Sequence, residues 1–585
     1  MFGFAALFGA TRAQVGRGGS EWLTAGGDAQ RTSWIRTDAK ISLDTMSKPG
    51  FELQWKARLD NAARRAQGIG QGVSANGVTL FIPMTVVAGS SNNVYALDND
   101  TGYVVWQRHF DVPIPAPTAA CAGGMTSAPT RVVGLTPPPI APPPGGGRAA
   151  QSYRSVIGQP GEGAPVEVRG GAGAGARGAR GAPVAPAAGA PAAGAPAAGA
   201  PAAGAPAAGA PPAAPPQRAN NPTPPLAAIP GAKPEELGGG RGGLGRASGV
   251  VYTIASDGVL HVMGLPSGKD IQKPAEFVPA NARWSDAIAV DTTLYTATLA
   301  GCGNTPNAVW AIDLQSEGKP VVSWKSGGSI VGTLAFTTGG TVIAAVGPGA
   351  GADGKPNAIV ALDPKTLQVK DWFSVPSTEF ATGPTIVRGS DGERELVAAA
   401  TKDGRLVVLD AASLGGADHA TPLASSAVGG SIAPGESLAN WREMRIAPAT
   451  DTVPPGPAAP PIVTYGTRWI LAPLANAVAA FRVGERAGTL VLERGWSADA
   501  LASPATPVIV NGVAFALASG RAASGSGAPA VLHAFDAASG KSLWTSGTSM
   551  TSAAAPGSFW SSFGQVYVGA ADGTLYAFGF LDERR

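Results

Sequence analysis

Residues able to do chemistry are few in this chain, and they are scattered. The 585 residues carry two cysteines, Cys121 and Cys302, and four histidines, His109, His261, His419 and His533. Neither set shows metal-ligand spacing, and no C-x-x-C or C-x-x-C-H occurs, so neither a zinc knuckle nor attached c-type haem is indicated. Two cysteines exclude a disulfide-dense scaffold. In an oxidising compartment Cys121 and Cys302 are a candidate disulfide, and two free thiols remain the alternative. Gly68-Ile69-Gly70-Gln71-Gly72 has the look of a phosphate loop, but no helix follows to offer its N-terminus, so a glycine turn between strands is the better reading. No serine is flanked as a nucleophile elbow with a matching histidine. Asp286, in W-S-D, and Arg442, beside Trp441, are expected in interblade loops at one face, where either could touch a ligand or cap a turn.

What must position such residues is a repeat. Val531 to Trp544, V-L-H-A-F-D-A-A-S-G-K-S-L-W, recurs near the start as Val94 to Trp106, V-Y-A-L-D-N-D-T-G-Y-V-V-W. Each copy reads as a β-hairpin: β-branched and aromatic residues favour the strand. Asp536 opens the turn through backbone N–H groups ahead of it, and Gly540 supplies a positive φ. The outgoing strand ends on a tryptophan that a lone hairpin cannot bury, so the unit needs neighbours. Ala96, Ala311, Ala361, Ala480, Ala534 and Ala577, with Val262 and Val408, mark eight copies about 43 to 55 residues apart outside two Pro-rich insertions. That period is one four-stranded propeller blade. Asp257-Gly258, Asp403-Gly404 and Asp572-Gly573 carry the Asp-Gly signal of two-residue hairpins. The last copy lacks an outgoing strand, whereas Leu53 to Leu59 offers a strand with Trp55 and no hairpin of its own. The expected fold is therefore all-β: a single eight-bladed propeller spanning residues 14–585, its last blade closed by the N-terminal strand.

Residues 135–247 interrupt this beat with Pro, Ala and Gly runs that cannot bury a core, and read as a disordered insertion thrown out from the second blade. Residues 1–13 resemble the end of a signal peptide with cleavage before Gln14, although a basic n-region is missing. No stretch is apolar enough to span a bilayer. Charged residues are 14% and the net charge is +3, which gives no electrostatic case for nucleic acid. The expectation is a periplasmic or secreted monomer.

The pattern A-x-D-x-x-T-G-x-x-x-W, complete at Ala96 to Trp106 and with Ser539 for Thr at Ala534 to Trp544, resembles the tryptophan-docking motif of quinoprotein (PQQ-type) propellers. The resemblance covers nearly the whole chain outside the insertion, and Trp22 to Trp34, with Gly27-Asp28, looks like the lead-in segment of that family. It implies that Trp55, Trp106, Trp324, Trp372, Trp496 and Trp544 pack between adjacent blades. Some members are alcohol dehydrogenases holding PQQ and Ca²⁺; others, such as outer-membrane-protein assembly lipoproteins of the BamB type, bind no quinone. The dehydrogenases carry two adjacent cysteines against the quinone ring, where this chain reads Ala120-Cys121-Ala122. No segment here matches their calcium and catalytic-aspartate regions. The sequence thus points to a non-catalytic envelope scaffold or binding module with no cofactor, taking a protein or small ligand on one face. A PQQ- and Ca²⁺-dependent dehydrogenase of alcohols or sugars is the rival, and a carbohydrate or peptide binder using the central funnel is a third reading.

Overall fold

The computed structural model describes residues 21–59, 73–76, 83–89, 91–114, 123–136, 249–280, 282–300, 305–349, 355–389, 393–447, 462–521 and 527–581. The proposed signal peptide, Gly68 to Gly72, Cys121, Cys302 and nearly all of the 135–247 insertion lie outside them. The described residues form eight small sheets in a ring, an eight-bladed β-propeller with one short helix, Leu43–Met46. In chain order the blades occupy residues 73–109, 130–276, 283–325, 328–374, 385–427, 439–499, 508–545 and 554–580. The strand Phe51–Arg58 pairs antiparallel with Thr574–Phe580 and closes the eighth blade. One end of the chain thereby covers the edge that the other would leave open.

Four strands per blade is the rule, with three departures. In blade 3 the sheet has six strands, because Val132–Val133 pairs parallel with Ile288–Val290 and Arg283–Trp284 pairs with Thr293–Ala300. Blade 2 is a sheet of three strands, its inner strand reduced to a bridge between Thr130 and Tyr252. The insertion leaves the chain between these two residues; on its N-terminal side Val132–Val133 joins the sheet of blade 3, and on its C-terminal side Val250–Ile254 belongs to blade 2. Blade 7 gains a fifth strand, because Trp34–Ile35 pairs parallel with Val508–Val510.

The repeat turns follow from their residues. Asp98 Oδ1 accepts the N–H groups of Asp100 and Thr101, each at 2.9 Å, and Gly102 holds φ +68°. Asp536 does the same with Ala538 and Ser539, and Gly540 holds φ +72°. The Asp-Gly hairpins differ from expectation: they are three-residue loops. Ala255 N–H donates to Val259 across Ser256, Asp257 and Gly258, and of these three only the glycine takes a positive φ, +82°. A two-residue type I′ turn would need positive φ at Asp257 as well. Here a tighter turn is followed by one left-handed glycine, as again at Gly404 and Gly573.

Candidate functional site

A propeller offers its axis and its two faces for binding. In this chain a strap, residues 22–41, runs along the inner edge of the ring, and its carbonyls take backbone N–H groups from one blade after another. Leu23 accepts from Arg131 of blade 2, Ala29 from Phe336 of blade 4, Gln30 from Ile386 of blade 5 and Thr32 from Asn440 of blade 6. Ser33 and Ile35 accept from Ile509 and Asn511 of blade 7, and Asp38 Oδ2 accepts from Gly564 of blade 8 at 2.9 Å. Thr24 Oγ1 donates to Ala287 O of blade 3 at 3.2 Å. Arg31 and Ser33 adopt left-handed φ values of +58° and +54°, which turn successive carbonyls toward successive blades.

Side chains of the strap join a buried polar network. Buried Arg31 donates Nε to Leu334 O at 2.8 Å, Nη1 to Thr24 Oγ1 and Ala25 O, and Nη2 to Asp286 O at 3.3 Å. Burial pushes its guanidinium down to about 10, opposed by Asp286 and then Asp28, so it stays charged at neutral pH. Burial also raises the Asp286 carboxyl, against the Ala128 N–H at 2.7 Å and the Arg31 charge. Arg388 of blade 5 meets Asp28 Oδ2 at 3.3 Å and also donates to Gln30 Oε1. Thr385 Oγ1 donates to Arg31 O at 2.7 Å and accepts from Asn440 Nδ2 at 2.6 Å.

The two candidate ligand contacts land differently from the expectation of interblade loops. Asp286 is part of this interior network: it sits in the break between Arg283–Trp284 and Ile288–Val290 of blade 3 and accepts the Ala128 N–H. Arg442 lies inside the strand Ala439–Ala447 and makes a two-pronged ion pair with Glu393, at 2.6 and 2.9 Å. W-S-D is indeed a break between strands, whereas W-R only looks like loop chemistry: blade 6 continues its strand through Arg442.

The tryptophans at the repeat position each meet the following blade. Trp55 Nε1 donates to Asn99 O at 2.8 Å, Trp106 Nε1 to Leu265 O at 2.6 Å, and Trp496 Nε1 to Ala537 O at 2.9 Å. Their rings lie on Gly102, Gly268 and Gly540, where an added Cβ would stand 2.3, 2.5 and 2.7 Å from ring atoms. Trp544 packs edge-on to Phe51 of the closing strand, centroids 4.9 Å apart. Trp372 instead stacks on His419 at 3.8 Å, with Lys355 Nζ 4.0 Å from the ring centre. Trp324 is partly buried against the cluster shared by blades 3 and 4.

Sequence reasoning missed two clusters. Arg108 and His261 converge on Asp270 at the seam of blades 1 and 2, with the Phe110 ring tilted against the imidazole, centroids 4.1 Å apart. Glu436 accepts from Thr506 N at 2.7 Å and pairs with Arg521 between the loops of blades 6 and 7. The partners in each are far apart in the chain or separated by a turn, so no local pattern announces them.

A quinone with its metal needs several hard oxygen donors converging on one point. Among the described residues no group of three or more His, Cys, Asp or Glu side chains could hold a metal ion. The acids of the interior are already committed: Asp28 to Arg388 and Thr32, Asp286 to Ala128, and Glu436 to Arg521 and Thr506. The described donor set does not fit the group.

In fold the ring is similar to the propellers of solved quinoprotein dehydrogenases. Its similarity to solved structures is extensive in space and low in sequence. A quinohemoprotein alcohol dehydrogenase from Pseudomonas putida superposes with a TM-score of 0.51 at 11% identity, over 96% of this chain and 81% of that one. A europium-containing methanol dehydrogenase gives a TM-score of 0.50 at 11% identity, over 96% and 99%. BamB from Moraxella catarrhalis gives 0.35 at 15% identity, over 57% and 82%. No protein-family model and no curated protein sequence matches the chain.

Proposed function

We propose that this chain is a non-catalytic propeller of the cell envelope, exported and acting as a scaffold or binding module for a protein or small ligand on one face. The observation that supports the reading is the state of the interior acids. A dehydrogenase of this architecture needs carboxylates free to take a metal and a proton, whereas Asp28, Asp286 and Glu436 each serve an internal contact that holds the strap or a blade loop in place. Fold likeness to dehydrogenases does not by itself carry activity.

The test is to titrate the apo protein with PQQ and Ca²⁺, following quinone absorbance, and then to assay dye reduction with short alcohols and aldose sugars. No saturable quinone binding and no turnover is the expected result. Calcium-dependent binding with turnover would replace the scaffold with a quinoprotein dehydrogenase.

A further inference from the structure

Blade 6 is built unlike its neighbours. Its strands Ala439–Ala447, Ile462–Pro473, Ala477–Arg486 and Thr489–Asp499 run nine to twelve residues, against three to six for the corresponding strands of blade 5. The two central strands pair only from Arg468↔Val483 to Pro473↔Val478. Beyond Arg468 the sheet splits. One arm continues as a hairpin from Met444↔Tyr465 to Ala447↔Ile462, the other from Gly484↔Val491 to Arg486↔Thr489. The cause is local: the register shifts between Arg442↔Arg468 and Met444↔Tyr465, a bulge at Gly466-Thr467 that bends the first arm away. Among the described residues, 463–467 and 484–486 therefore have no strand paired to the edges that face the split, and Thr464, Tyr465 and Gly466 are exposed there.

We propose that this split is a docking site for an extended, acidic segment of a partner protein, which adds as a strand to the edge at 463–467. An unpaired strand edge presents alternating N–H and C=O groups, and only another extended backbone satisfies them in series. Natural folds hide such edges, yet this one carries Ile446 and Tyr465, 39% and 37% exposed, beside it. Charge selects the acidic partner. The arm bears Arg445 and Arg468, and Arg36 donates to the Tyr465 hydroxyl at 2.9 Å. Its one acid, Glu443, already accepts the Trp469 indole at 2.9 Å. On the other arm Arg486 is paired with Glu493 at 2.8 Å. The opposing charges near Arg468 are Glu485 and Glu393, the latter already paired with Arg442, which leaves exposed Arg445 as the cation with no acid set against it among the described residues. The inference extends the binding-module reading, but its failure is separable, since quinone titration tests one and peptide binding the other.

The probe is a fluorescein-labelled heptapeptide of alternating Glu and Val, followed by anisotropy with the full chain. Saturable binding is expected, weakened at least about tenfold when alternate peptide nitrogens are methylated, when Lys replaces Glu, or in Arg445→Glu/Arg468→Glu. Backbone methylation leaves the protein untouched, so its effect cannot come from misfolding. Absence of saturation, or equal binding of the methylated peptide, overturns the proposal. So does binding that emerges only after residues 448–461 are replaced by a short turn, which would make this chain's own segment the occupant. Concentration-dependent dimerisation in light scattering that competes with the peptide would assign the edge to a second copy and overturn it equally.

Discussion

The seam between blades 8 and 1 and the seam between blades 4 and 5 use a tryptophan from the same repeat position and give it different surroundings. Trp55 lies on the bare backbone of Gly102, with its indole N–H delivered to Asn99 O. Trp372 faces a turn, Asp410 to Leu414, that lacks the Thr-Gly pair; its ring stacks on His419 and under Lys355 and stays half-buried. His419 reaches this position with a left-handed φ of +54° and hydrogen-bonds Trp372 O at 2.8 Å. A glycine platform therefore buries most of an aromatic ring, while a side-chain platform holds it half-buried through stacking and charge. The motif encodes depth of burial more than contact itself.

The largest expected break in this comparison removes the seam altogether. Deleting residues 14–60 takes away the strap, Trp55 and the strand that closes blade 8, and should lower Tm by more than about 10 °C in calorimetry. Excising residues 142–240, whose composition cannot bury a core, should change Tm by less than about 3 °C, because loop-closure entropy grows slowly with length. Similar Tm values for both deletions would show that closure contributes nothing.

Next in size are the rings. We expect Trp55→Ala and Trp106→Ala to cost about 3–5 kcal/mol each in denaturant unfolding, the range for deleting a buried large aromatic. Trp372→Ala should cost roughly 1–2 kcal/mol, since much of that ring is already in water. Equal losses at Trp106 and Trp372 would dissolve the distinction between the two platforms. Gly102→Ala sharpens it from the other side: the new Cβ would stand 2.3 Å from the Trp55 ring at φ +68°, costing about 1–3 kcal/mol. The same substitution should be nearly silent in a Trp55→Ala background apart from backbone strain, a coupling that a double-mutant cycle reads directly.

The blade architecture was legible from the sequence because each of its signals is local: Asp, Gly and Trp at fixed spacing, with alternating strand residues between them. Closure was legible too, since Leu53-Gln54-Trp55 lacks a hairpin and Thr574 to Phe580 lacks a partner. The interior network was not. Arg31 meets Leu334 and Asp286 across some 300 and 255 residues of chain, and nothing near Arg31 states which blade it will face. The split in blade 6 hid for another reason. A bulge at Gly466-Thr467 changes register without changing the alternation on either side, so the sequence still reads as ordinary strand.

The smallest expected effect concerns pH at the seam of blades 1 and 2, where Trp106 rests on Gly268. His261, on the central strand of blade 2, packs at a tilt against Phe110 and places Nδ1 3.2 Å from Asp270 Oδ1, with Arg108 bound to the same carboxylate and Asp257 in the preceding turn. Burial lowers its pKa below the usual histidine value; Asp270 pulls the other way and Arg108 reinforces the fall. The unfolded chain, with a histidine pKa of about 6.5, then binds the proton more readily than the folded one. His261 therefore costs no stability at pH 8 and destabilises the fold progressively as pH drops below about 6.5. Carboxylates and His533, whose pKa burial also lowers, add their own pH dependence, so the informative quantity is a difference. Denaturant unfolding of wild type and His261→Gln at pH 8 and pH 5 should show the variant losing less stability on acidification. Parallel losses would mean that Asp270 fully offsets burial and that this seam, unlike the deeply sunk ring beside it, is indifferent to protonation.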